Sequence, residues 1–248
     1  MKIFPLSEGS FTIDKSKLFV PFTDGKDELR DRPGSLLVEI QPFLIQTSKD
    51  LLLLDAGLGY TVDNELQIYN NIRKAGFEPE TVTKVLLSHL HKDHAGGIGS
   101  ASKKVFGNDN KMNFTNATYY VQQRELDFAW QKGFPSFMPD EVEPLMQSGQ
   151  VAFLHEDKGE IDGYIQYELT GGHSPFHQVF WIKEGAETIF FGGDVTPQLQ
   201  QMKMKYKTKY DSDPETAMEL RLKWWEEGNQ NNWTFLFYHD IKTPTYKK

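Results

Sequence analysis

Three histidines and an aspartate crowd into His89-Leu90-His91-Lys92-Asp93-His94. Imidazole and carboxylate are the groups that hold divalent metals when thiolate is missing, and this chain has no cysteine. On an extended segment alternate side chains point the same way, so His89 and His91 can grip one ion together. Asp93 and His94 fall on the turn that follows and can face a second ion beside the first. Gly96 and Gly97 let the backbone pass close to such a site. Three further metal-competent side chains stand where an apolar stretch gives way to a loop. They are His173 after Gly171-Gly172, Asp194 after Phe191-Gly192-Gly193, and His239 after Tyr238. A lone histidine after a strand is more often structural, but four such coincidences in one chain point to a shared centre.

The chemistry of such a centre is hydrolysis. Two ions a few ångströms apart can share a water and lower its pKa towards neutrality, giving a hydroxide that attacks a carbonyl carbon or a phosphorus. One ion would polarise the substrate oxygen and stabilise the charge that develops there. Asp93, bound to metal and within reach of the nucleophile, could pass a proton to the leaving group. The lack of cysteine and of a Ser–His nucleophile motif leaves no covalent route in competition.

The elements that must position these residues are legible as short apolar runs between turn signals. Ser35–Ile40, Phe43–Gln46 and Leu51–Leu54 read as three strands of a meander, broken by Gln41-Pro42 and Ser48-Lys49-Asp50. The glycine-rich Asp55-Ala56-Gly57-Leu58-Gly59 follows. Leu66, Ile68, Tyr69 and Ile72 share one face of a helix expected over Asn64–Ala75, with Gly76 at its C-cap. Lys84–Ser88 is a buried strand leading straight into the histidine cluster. Further strands are predicted at Thr118–Val121, Val151–Leu154, Ile165–Leu169, Gln178–Ile182, Thr188–Phe191 and Thr234–Tyr238. Helices are predicted over Gln123–Trp130 and from an Asp213 N-cap, with Pro214 first in the helix, to near Gly228. Strands mixed with helices, arriving first as a meander, imply an α/β domain of two sheets with helices outside.

Composition narrows the class. A chain of 248 residues with 38% hydrophobic and 25% charged residues reads as one folded domain, residues 1–248. A formal charge of −8 argues against a nucleic-acid partner. No apolar run approaches the roughly 20 residues of a membrane helix, and the N-terminus lacks the apolar stretch of a signal peptide. The expectation is a cytoplasmic enzyme with no membrane partner, monomeric or homodimeric.

The cluster His89-Leu90-His91-Lys92-Asp93-His94-Ala95-Gly96-Gly97, together with Gly172-His173-Ser174-Pro175, Gly193-Asp194 and Tyr238-His239-Asp240, resembles the metallo-β-lactamase superfamily. The likeness runs from the Asp55 loop to His239. It implies a four-layer αββα sandwich of two mixed sheets with the metals at one edge. By the resemblance, His89, His91 and His173 bind one metal, Asp93, His94 and His239 bind the second, and Asp194 bridges both. Asp55 resembles the carboxylate that orients a ligand histidine from behind, and His177 matches a structural position. The implied cofactor is Zn2+, two per chain, with Mn2+, Fe2+ or Co2+ also compatible with this donor set. The di-iron redox branch carries a glutamate where this chain has His91, which favours hydrolysis.

Elimination narrows the substrate. The thiol-ester hydrolases of the superfamily append a helical domain, whereas nine residues follow His239. The RNA-processing branches add basic surfaces, and this chain is acidic. The N-acyl-homoserine lactone lactonases and related esterases or organophosphate hydrolases are the group most similar to this chain. The implied substrate is a small-molecule lactone or carboxylic ester, with a phosphoester or phosphotriester as the alternative and a non-catalytic metal-binding module as the reading of another class. One departure stands out. Lactonases of this group place a tyrosine three residues after the bridging aspartate, and here that residue is Pro197, leaving Tyr206, Tyr210 or Tyr238 to substitute. Gly133–Pro139 as a lid, the lysine-bearing Gln198–Tyr210 at the entrance, and Phe19, Val20 and Phe22 are the expected pocket walls.

Overall fold

The uninterrupted Leu51-Leu52-Leu53-Leu54 run is buried on both faces, which a strand requires when layers cover it from both sides. Its alternate residues enter different cores. Leu51 and Leu53 join Ile68, Ile72, Leu126 and Val142, while Leu52 and Leu54 join Phe43, Ile165, Phe180 and Phe191. The structure, a computed structural model, describes residues 1–99 and 111–248.

The chain opens with strands β1 (Lys2–Pro5), β2 (Gly9–Ile13), β3 (Phe19–Phe22), β4 (Leu36–Ile40), β5 (Phe43–Gln46) and β6 (Leu51–Leu54). A small hairpin, β7 (Thr61–Val62) and β8 (Glu65–Leu66), leads into helix α1 (Gln67–Lys74). Then come β9 (Lys84–Leu86), the short helix α2 (Lys92–Ala95), β10 (Thr118–Gln122), α3 (Gln123–Lys132) and α4 (Pro139–Gln147). Strands β11 (Val151–Leu154), β12 (Lys158–Ile161), β13 (Ile165–Leu169), β14 (Gln178–Glu184) and β15 (Glu187–Phe191) follow. Helices α5 (Leu199–Met202) and α6 (Pro214–Gln230) precede β16 (Thr234–Leu236) and β17 (Thr245–Tyr246).

Two six-stranded sheets result, in the orders β1-β5-β6-β9-β10-β11 and β12-β13-β14-β15-β16-β17. Both are mixed, and their facing sides share one core in which Ile45 and Leu86 meet Ile182, Ile189 and Leu236. The outer side of the first sheet is covered by α1, α3 and α4. The outer side of the second carries Phe190, Phe235 and Phe237 against Ala217 and Trp224 of α6. Four layers, helix–sheet–sheet–helix, are therefore written in period-two alternation, as in Leu51–Leu54 of β6 and in Phe235 and Leu236 of β16.

Several local expectations shift. Strand β4 does not continue the meander but pairs with β2 in a separate three-stranded sheet, β3-β2-β4, because the chain changes direction at Gln41-Pro42. The helix expected from Asn64 begins at Gln67, since Asp63 and Asn64 adopt φ of 52° and 64° and turn the β7–β8 hairpin instead. Helix α6 runs two residues past Gly228. That glycine serves packing: a Cβ there would lie 2.2 Å from the Phe235 ring. Among the described residues no helix is long and apolar enough to cross a membrane.

Strands β6, β9 and β10 run parallel, so the Asp55 loop and the His89–His94 segment leave the same edge of their sheet. In the other sheet β13 and β15 both run antiparallel to β14, and β16 is parallel to β15. The loops bearing His173, Asp194 and His239 therefore also leave one edge. Ligand loops at strand C-termini follow from the topology.

Candidate metal centre

At that edge the first three imidazoles converge. Nε2 of His89 and Nε2 of His173 each lie 3.0 Å from Nδ1 of His91. Asp194 joins them through Oδ2, 3.3 Å from His173 Nε2 and 4.0 Å from His89 Nε2. Its other oxygen, Oδ1, lies 3.2 Å from His94 Nε2 and 3.1 Å from His239 Nε2. Asp93 closes this second group, with Oδ2 3.6 Å from His94 Nε2 and 3.4 Å from His239 Nε2. All seven residues singled out from the sequence come together, His89, His91 and His173 on one side of Asp194 and Asp93, His94 and His239 on the other, with Asp55 within reach of His89 and His94.

The nitrogens not facing the centre are tied back. His94 Nδ1 lies 2.7 Å from Asp55 Oδ2, and Asp55 itself accepts from the Ser88 amide and hydroxyl at 2.7 Å each. With its oxygens engaged by Ser88 and His94, Asp55 orients the His94 ring. His173 Nδ1 lies 2.9 Å from Asp211 Oδ1, and His239 Nδ1 donates to the Glu39 carbonyl at 2.7 Å. Such partners fix tautomer and ring direction. His177 is fully buried, and its Nε2 accepts from the Asp194 amide at 3.2 Å, so it braces the Asp194 loop. Gly193 permits this, because a Cβ there would meet His177 Nε2 at 2.6 Å. Gly96 and Gly97 are likewise required where they cross the Asp55 loop, with Cβ positions 2.2 Å from Leu58 O and 2.1 Å from Ala56 O.

The arrangement fits divalent cations. Tetrahedral donors about 2 Å from a zinc-sized ion stand roughly 3.3 Å apart, and the first group spans 3.0 to 4.0 Å. His94 Nε2 and Asp194 Oδ1 are buried without a hydrogen-bond partner, although they point into one volume. Protonation follows the same field. Burial, together with neighbouring His94 and His91, pushes His89 well below the ordinary histidine range, and burial with His173 does so for His91. Those two rings are neutral donors. Burial also disfavours charge on His94 and His239, but Asp194 and Asp93, with Asp55 beside His94, outweigh it and raise both. Carboxylates arranged to make buried imidazoles cationic are carboxylates that want a cation between them.

The metallo-beta-lactamase superfamily model matches residues 39–228. The chain belongs to the metallo-β-lactamase superfamily. An N-acyl homoserine lactonase of Bacillus thuringiensis is 24% identical to it over 234 residues, covering 85% of each chain. Among solved structures, a probable metal-dependent hydrolase from Staphylococcus aureus superposes with a TM-score of 0.79 at 22% identity, covering 99% of this chain and 91% of the other. AidC, a dizinc quorum-quenching lactonase in complex with a product, gives 0.73 at 19% identity, with 98% and 88% covered. The superfamily fold and the reading as a superfamily hydrolase are borne out, and the donor set supports a metal cofactor.

The 133–139 segment is not detached from the site. Phe137 is buried with its ring 4.7 Å from that of His91, and the Lys92 amide donates to Ser136 O at 3.0 Å. Tyr238 is consumed: it stacks on His94 at 4.0 Å and donates to the Asp93 carbonyl at 2.6 Å. Tyr210 is the half-exposed tyrosine beside the centre, 6.2 Å ring to ring from His173. Pro197 has another task, accepting the His239 amide on its carbonyl at 3.0 Å.

Sequence reasoning missed four buried groups that hold the centre. Besides Asp211, Glu125 accepts from the Leu90 amide at 3.1 Å and from Ser174 Oγ at 2.8 Å, tying the two histidine loops together. Burial raises its carboxyl to about 7. Arg221 donates to the carbonyls of Val195, at 3.0 Å, and Tyr206, and stands 3.9 Å from Asp211 Oδ2. Ser88 links Asp55 to His89, whose Nδ1 is 3.0 Å from its hydroxyl. A signal existed for two of them. Glu125 precedes Ala129, and Arg221 lies between Ala217 and Trp224, at the spacing of the buried helical face.

Proposed function

We propose that this chain, as one domain over residues 1–248, is a binuclear zinc hydrolase that opens a lactone or cleaves a related carboxylic ester of a small molecule. The observation that carries this reading is Asp194, whose two oxygens face two separate groups of imidazoles. His89, His91 and His173 would hold one ion, Asp93, His94 and His239 the other, with Asp194 shared. Bound there, the ions supply Lewis acidity towards the substrate's carbonyl oxygen and towards a water.

The protein's own groups do the rest. The orienting partners Asp55, Asp211 and the Glu39 carbonyl keep the three histidines they face pointed inward without reorganisation during the reaction. Asp93 takes the proton released as the water oxygen bonds to the carbonyl carbon. It delivers that proton to the leaving oxygen as the acyl C–O bond breaks, giving an acid and an alcohol. Tyr210 presents its hydroxyl to the substrate carbonyl in the absence of a tyrosine at position 197. Similarity to lactonases at low identity supports an ester or lactone over other electrophiles. Parallel measurements of kcat/KM on an acyl-homoserine lactone, an aryl acetate and an aryl phosphotriester test this. The highest value is expected for a carboxylic ester or lactone, and a phosphotriester in first place would replace that reading with organophosphate hydrolysis.

A further inference from the structure

Lys92 sits in sequence between two residues of the metal centre, yet its side chain does not enter it. The ammonium lies 5.7 Å from the Phe19 ring centroid and 5.9 Å from that of Phe134. Two segments that are far apart in sequence, the β2–β3 hairpin and the 133–139 loop, thus clasp one lysine beside the site. Lys17, on the same hairpin, lies close enough for its charge to act on both His91 and Lys92. Among the described residues neither ammonium has a carboxylate partner at ion-pair distance, although the chain carries 35 acidic residues. Asp93 and Glu141 attract Lys92 only from further away, and Asp93 is directed to the centre.

Of the four lysines in the 198–210 stretch, Lys205 and Lys209 are exposed and the other two are engaged. Lys203 lies 5.5 Å from the Trp225 ring centroid and 5.4 Å from that of Tyr246, and Lys207 pairs with Glu215. Lys92 and Lys17 add a second pair of positive charges to those of the 198–210 stretch. A half-buried ammonium between two aromatic rings, with a second lysine charge acting on it, gains when an anion joins it. An anionic group on the substrate would offset these charges.

We propose that the substrate carries an anionic group, a carboxylate or phosphate apart from the scissile ester, which Lys92 and Lys17 bind. This rests on the hydrolase reading above and makes the preferred substrate a charged ester in place of a neutral one. Phe19 and Phe134 hold the Lys92 ammonium in place, so the specificity is built into two wall segments.

The test compares 4-acetamidobenzoate with acetanilide, an uncleaved charged and neutral pair, by titration calorimetry on the metal-loaded protein. The charged ligand is expected to bind about tenfold tighter or more, a difference of about 1.4 kcal/mol. That ratio should fall about tenfold in Lys92→Met, fall by a smaller factor in Lys17→Met, and survive in Lys92→Arg. A ratio near one in the unaltered protein overturns the proposal. So does a ratio that persists in both Lys→Met variants, since the anion would then be held by the metals alone. The same preference should appear as a lower KM for 4-acetoxybenzoate than for phenyl acetate. If neither ester is hydrolysed, the hydrolase reading fails, while the calorimetric ratio still decides the anion site.

Discussion

Asp211 Oδ1 stands 2.9 Å from Nδ1 of His173, leaving Nε2 of that ring directed at His91 and Asp194. Asp211 is itself fixed by the turn ahead of α6, where the Ser212 amide donates to the His173 carbonyl at 3.0 Å. Asp211→Asn should therefore lower metal affinity about 10- to 100-fold while the fold persists, the usual effect of removing a carboxylate behind a ligand histidine. Chelator competition measures this directly. Unaltered affinity would show that His173 needs no such partner.

Asp93 is assigned two tasks, holding an ion and moving a proton. Asp93→Asn keeps the shape but loses the base, so turnover should drop by about 10²-fold or more. Circular dichroism and thermal melting should stay close to the parent protein. Activity that survives unchanged would remove both roles.

Tyr210 is the phenol left beside His173 once Tyr238 has been taken up by Asp93. Tyr210→Phe should reduce kcat/KM on a lactone by roughly tenfold, about one neutral hydrogen bond. Tyr206→Phe should change it little, because Tyr206 contributes its backbone carbonyl, to Arg221. Equal effects of the two substitutions would contradict the assignment.

Glu8 gives a pH prediction separate from catalysis. It is buried under the Asp55 loop, where its carboxyl accepts from the Leu58 amide at 2.6 Å, and burial raises it to about 8. A carboxyl whose folded value exceeds its unfolded one favours the folded state at low pH. Its contribution is complete below about 4.5 and is lost as pH rises through about 8. Glu8→Gln keeps an acceptor for Leu58 and cannot ionise, so urea stability should fall less between pH 5 and pH 8.5 than in the parent. The difference should be on the order of a few kcal/mol at most, with metal held in excess. Parallel curves for the two proteins would refute it.

The histidine and aspartate cluster was legible because metal chemistry restricts residue type and because strands end abruptly in glycine and histidine. The fold was legible from the same restriction on burial, as in the four consecutive leucines of β6. The residues behind that cluster were not. Asp211 lies two residues before the cap of α6 with no local pattern to mark it, and its partner is 38 residues away. The position of β4 was misread because a strand's neighbour is a non-local choice, decided here by β2. Lys92 was visible, but its clasp by Phe19 and Phe134 depends on two loops meeting in space.

The central claim is that the His89–His239 constellation holds two ions around Asp194 and that hydrolysis depends on them. Elemental analysis by plasma mass spectrometry, on protein dialysed free of loose metal and assayed for lactone hydrolysis in parallel, tests it most directly. The account predicts about two metal ions per chain, zinc foremost, with activity lost on chelation and restored on re-addition. A metal-free protein that remains fully active would contradict it.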